Sequence, residues 1–158
     1  IFNFYIIYIN MNITLQRISV KGEITEGHLR IDGFTICDTL ENSRSCLSSG
    51  IYAIRIMKCK QHRRNVICVE SLGDEVTQND KCHKCKLKEL VFSNTPMPRF
   101  CPQIKPGNGV YGRRDGSIIV GSRALFGCII SPRSAFDLLY ERIRKNIERG
   151  KCVSLKIR

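Results

Sequence analysis

A chain of 158 residues, 42% hydrophobic and 25% charged, falls in the size range of one domain and has the composition of a globular protein. That excludes disordered and fibrous classes, and at this length a core forms without a metal or disulfide, because folding buries roughly 68–70% of the chain's surface. Twenty-six Lys and Arg against 14 Asp and Glu leave a net charge of +12, which favours polyanionic partners such as nucleic acid, although surface solubility explains it equally well.

In chain order, the apolar residues 1–10 are Ile, Phe, Asn and Tyr, all with AT-rich codons. They read as a leader or non-native extension, the rival reading being an extra edge strand, and a single domain is expected over residues 11–158. Met11 to Val20 alternates as a first strand. Asp32-Gly33 between Gly27–Ile31 and Phe34–Leu40 is a hairpin signal, since both turn positions need positive φ. The serine-rich stretch from Asn42 to Gly50 is a loop. Ile51–Met57 and Asn65–Ser71 are strands on either side of the basic run from Lys58 to Arg64. Cys82–Phe92 fits a short helix or a strand, and Asn94–Gly112, with four prolines, reads as extended loop.

Ser117–Val120 and Leu125–Ile130 are short apolar strands. A helix follows, with Ser131 as its cap and Pro132 in its first turn. Its apolar stripe is Phe136, Leu139, Tyr140, Ile143 and Ile147, with Glu141 and Lys145 as an i,i+4 pair and Gly150 as its left-handed stop. Val153, Leu155 and Ile157 alternate in a closing strand. The expected fold class is therefore α+β: a single compact, mainly antiparallel β domain with one amphipathic helix near the C-terminus and a strand after it.

Nine cysteines lack the spacing of a disulfide scaffold, and Cys37, Cys68 and Cys128 stand in apolar strand-like runs, where cysteine packs as a small hydrophobe. Free thiols in a reducing compartment follow. No apolar run is long enough for a transmembrane helix and no secretory signal is recognisable, so the expected location is cytoplasmic, with no membrane span. Cys82-His83-Lys84-Cys85 has the spacing of half a tetrahedral zinc site, which Cys59, His62 or Cys101 would complete. One such pair is a weak signal, and the reading that needs no cofactor is an exposed reduced loop. His28 and His62 read as solvated surface residues without a predictable carboxylate partner.

The run Pro98–Gly109 followed by Asp115–Gly121 resembles a domain family of unknown function found in gut anaerobes and bacteriophages, as do Cys37–Glu41 and Ser49–Tyr52. The resemblance spans most of residues 11–158 and implies an intracellular, phage-related module without supplying an activity. In that family the motif carries His at the position of Lys105 and Cys at that of Ser117, a pattern similar to the catalytic segment of L,D-transpeptidases, in which an imidazole activates a thiolate. Here Lys105 and Ser117 replace them, and a lysine base would have to lose its proton in a dry site. Gly107, Asn108, Asp115, Gly116 and Gly121 form the motif loop, in which Gly107, Gly109, Gly112 and Gly116 suit positive-φ turns. Three functions follow: a non-enzymatic binding or structural module of phage or secretion-system origin with a protein partner; a basic nucleic-acid-binding domain; and a peptidoglycan-active enzyme, disfavoured by Lys105 and Ser117.

Overall fold

Eight paired strands have one arrangement with no unpaired edge, a barrel, and this is the arrangement the chain adopts. The computed structural model of the protein describes residues 10–59, 64–72, 102–110, 115–125 and 127–158. The candidate zinc ligands Cys82, Cys85, Cys101 and His62, the ambiguous segment Cys82–Phe92 and residues 1–9 lie outside them.

The strands are β1 (Met11–Lys21), β2 (Ile24–Ile31), β3 (Phe34–Asn42), β4 (Gly50–Cys59), β5 (Arg64–Ser71), β6 (Gln103–Pro106), β7 (Ile118–Gly121) and β10 (Val153–Ile157). Around the barrel they run β1-β10-β4-β5-β6-β7-β3-β2. Six of the eight pairings are antiparallel; β1 with β10 and β6 with β7 are parallel. Two short strands, β8 (Arg123–Leu125) and β9 (Cys128–Ile130), form a separate hairpin. The 17-residue helix α1 (Pro132–Glu148) stands between β9 and β10.

Local sequence accounts for most of these elements. Met11, Ile13 and Leu15 on β1, Leu29 and Ile31 on β2, and Val153, Leu155 and Ile157 on β10 all fill the barrel interior, with polar residues alternating outward. The β2–β3 turn is the expected one, with φ of 51° at Asp32 and 81° at Gly33. Extra residues at Ile18 on β1 and Ile36 on β3 bulge the ladder and curl the sheet toward closure. All four residues of β7 are buried, because Ile118 and Val120 face the interior while Ile119 lies under the β8–β9 hairpin with Leu40, Val110 and Ile129.

Each mouth of the barrel is closed differently. Helix α1 touches β3, β6 and β7 on one wall and β10 on the opposite wall, and Ala135, Leu139 and Ile143 join the interior cluster. A helix can reach opposite walls only by lying across the opening. At the other mouth the Arg17 guanidinium grips Glu41 through two hydrogen bonds of 2.8 Å and donates a third, of 2.6 Å, to the Leu47 carbonyl of the β3–β4 loop. The Glu41 side chain is 1% exposed, so this fork satisfies a charge that has left water.

Several local expectations are corrected. Asn94–Gly112 contains β6, whose two long-range partners outweigh its flanking prolines. Leu125–Ile130 is not one strand: Leu125 ends β8, Gly127 turns the chain at φ 74°, and Cys128–Ile130 is β9, on which Cys128 is exposed. Ser131 does not cap α1: its backbone is left-handed (φ 50°), whereas a cap needs the extended conformation to aim its hydroxyl at the first-turn amides. The buried stripe of α1 is Ala135, Leu139 and Ile143, with Phe136 and Tyr140 half-buried beside it, while Ile147 is 37% exposed. Glu141 pairs with Arg144, whose fork also reaches Glu148, and not with Lys145. Gly150 does end the helix left-handed (φ 75°), with Gly150 N–H donating to the Ile147 carbonyl and Lys151 N–H to that of Asn146.

Two stability outcomes follow. Leu139→Ala should cost about 2–5 kcal/mol in urea unfolding, while Leu138→Ala on the exposed face of α1 should stay within about 0.5 kcal/mol. Glu41→Ala should cost about 3–5 kcal/mol by stranding Arg17, and the double change Arg17→Met with Glu41→Leu should recover most of that loss.

Candidate functional site

The motif residues come together on the outer face where β6 and β7 run parallel. Ile104 and Ile118 pair in register and point inward, which turns Lys105 outward. Asp115, on the connection between the two strands, accepts the Lys105 ammonium on Oδ2 at 2.8 Å and the Ser117 backbone N–H on Oδ1 at 3.0 Å. The Ser117 Oγ in turn accepts the Gln103 backbone N–H at 3.2 Å, and Ser117 is only 6% exposed. Burial alone would raise the Asp115 carboxyl, but the Lys105 ammonium and the Ser117 donors outweigh it and hold it below its ordinary value.

Lys105 and Ser117 are therefore neighbours through a third residue. The Lys105 ammonium donates to Asp115, and an ammonium has no lone pair with which to take a proton, while the Ser117 Oγ accepts a backbone N–H. What the trio does chemically is lock the crossover between two parallel strands. Of the motif glycines, Gly116 takes the left-handed conformation (φ 76°) against the Ser45 carbonyl, while Gly109 does not. Gly121 ends β7, where an added Cβ would stand 2.7 Å from the Ile130 carbonyl oxygen, so β9 can cross only a glycine. Gly107 and Asn108 follow β6, with Asn108 exposed.

The sulfur positions agree with packing roles in part. Cys37, Cys59 and Cys68 are buried, and Cys59 packs with Met57, Val66 and Cys68. Burial, reinforced by Asp38, pushes the Cys37 thiol up to about 12, far from the thiolate that a metal or nucleophile requires. Among the described residues no three His, Cys, Asp or Glu side chains are grouped to hold a metal ion.

Contrary to expectation, His28 has a carboxylate partner. It stands opposite Asp38 across β2 and β3, with Nδ1 2.7 Å from Asp38 Oδ1, and Asp38 Oδ2 accepts the Ala124 N–H at 2.8 Å. With Glu26, which accepts the Gly127 N–H at 3.2 Å, Asp38 fastens the β8–β9 hairpin onto the barrel.

Sequence reasoning misses a groove of about 270 Å³ between α1 and the β5–β6 edge. Phe136 and Tyr140 form one wall, their rings stacked with centroids 6.0 Å apart, and Asn65 Nδ2 donates to the Tyr140 hydroxyl at 3.4 Å. Arg64, Lys105 and Arg133 supply three cations against the single carboxylate of Asp137. Arg133, Phe136 and Tyr140 recur at helical spacing, but the opposite wall comes from residues some thirty to seventy positions earlier in the chain. No family model, curated protein or solved structure matches the chain.

The lock makes a pH-dependent contribution. Asp115→Asn should lower stability at neutral pH by about 1–2 kcal/mol, allowing for a carboxylate about one-third exposed. Because folding depresses this carboxyl, the wild-type advantage is present above the unfolded value near 4 and fades as pH falls through the lower folded value, which urea titrations at several pH values read directly.

Proposed function

We propose that the chain is a non-catalytic binding module that works through the groove between α1 and β5–β6. One observation carries this reading: Lys105 is taken up by Asp115 and does not face the Ser117 hydroxyl as a base, whereas the arginines beside it make no ion pair among the described residues. Lys105 and the Ser117 backbone N–H both donate to Asp115, and the Ser117 Oγ accepts the Gln103 backbone N–H. Arg64 and Arg133 are exposed and make no ion pair among the described residues, although Asp137 stands four positions from Arg133 on the same helix. Binding residues grouped on a rigid scaffold with an open concave face are the usual anatomy of a recognition site. Among the described residues no helix is long and apolar enough to cross a membrane.

The reading is tested against peptidoglycan fragments and simple acyl esters, with product followed by chromatography. No turnover above the buffer rate is expected, with wild type and Ser117→Ala indistinguishable. Turnover that disappears in Ser117→Ala would falsify it.

A further inference from the structure

We infer that the α1/β5–β6 groove takes a phosphorylated nucleoside, with its phosphate held by both Arg64 and Arg133 and its base against Phe136 and Tyr140. This rests on the reading of the chain as a binding module and names the ligand of that same groove. Four features point to this chemistry and not to a bare anion or an apolar peptide.

The first is charge that is left over. Lys105 is neutralised by Asp115 at 2.8 Å, but the two arginines are not paired among the described residues, and a guanidinium fork fits phosphate oxygens two at a time. The second is a half-buried aromatic pair in the same groove, stacked at 6.0 Å and steadied by Asn65, which gives a flat base a surface to lie on. The third is the polar pair on its walls: the Asn65 amide can donate and the Asp137 carboxylate can accept, which suits base edges and sugar hydroxyls. The fourth is size. At about 270 Å³ the open groove is on the scale of one small ligand and not of a folded partner. The +12 charge of the chain draws such anions toward it.

The same unit could arrive free or as one residue of a single strand, and the experiment separates the two. Adenosine monophosphate, a short single-stranded oligoadenylate and a duplex of the same length are titrated against the full chain at low and at physiological salt, with inorganic phosphate as competitor. Saturable binding of the single strand, weakening with salt, is expected, with a further isotherm for the monophosphate if free nucleotide is the ligand. Arg64→Ala and Arg133→Ala, both at exposed positions, should each weaken binding on the order of tenfold without shifting the melting temperature, and Phe136→Leu should weaken it while leaving the salt dependence unchanged. The inference is overturned by no saturable binding of either nucleotide form, by equal affinity for the duplex, by inorganic phosphate competing as well as the nucleotide, or by unchanged affinity in the arginine variants. Such a failure leaves the non-catalytic reading in place, since that falls only to Ser117-dependent turnover.

Discussion

Everything in this molecule depends on the tail strand entering between β1 and β4. β10 pairs in parallel with β1, Met11 opposite Val153, and antiparallel with β4, Ile54 opposite the same valine. Backbone bonds lock both ends of the seam: Met11 N–H reaches the Cys152 carbonyl, Arg17 N–H the Arg158 carbonyl and Arg158 N–H the Leu15 carbonyl. Without β10 two strands would expose unpaired edges and Leu155 and Ile157 would have no interior to fill. Closure thus joins residues near both ends of the described chain, a contact whose entropy cost is met only when the whole wall is present.

Closure also decides what happens at the two openings. Only Arg149 to Cys152 separate α1 from β10, so the helix must stay beside the mouth at which β10 begins, and its apolar stripe plugs that mouth. The opposite mouth receives Arg17, whose charge would be costly there without the buried Glu41 and the Leu47 carbonyl. One end is sealed by hydrophobic burial and the other by a bidentate ion pair. The groove arises where the plugging helix overhangs the outer face of β5 and β6, so it is a by-product of how the barrel is stoppered.

Much of this was written in local patterns. The Asp32-Gly33 turn, the strands β1, β2, β4, β5 and β10, the extent of α1 and its glycine stop all follow from period, turn chemistry and capping residues, which act within a few positions of themselves. Where local rules failed, a distant partner had intervened. Gln103–Pro106 looks like loop because its prolines argue against a strand, yet β5 and β7 supply pairing on both sides. His28 looks solitary because Asp38 lies across a hairpin, and Asp115 looks like a turn residue because its lysine is ten positions away. Cys128 resembles a core cysteine by its apolar neighbours, but the hairpin that holds it turns its side chain outward.

The amino-acid order by itself determined an α+β chain of amphipathic strands with one helix stopped by glycine before a final strand, because alternation and helical period are properties of adjacent residues. Only the tertiary structure decided that the sheet closes, that β1 meets β10 and β6 meets β7 in parallel, and that Arg64, Arg133, Phe136 and Tyr140 share one groove. Those juxtapositions join residues far apart in the chain, and their free energy belongs to the closed barrel as a whole, so no window of sequence contains it.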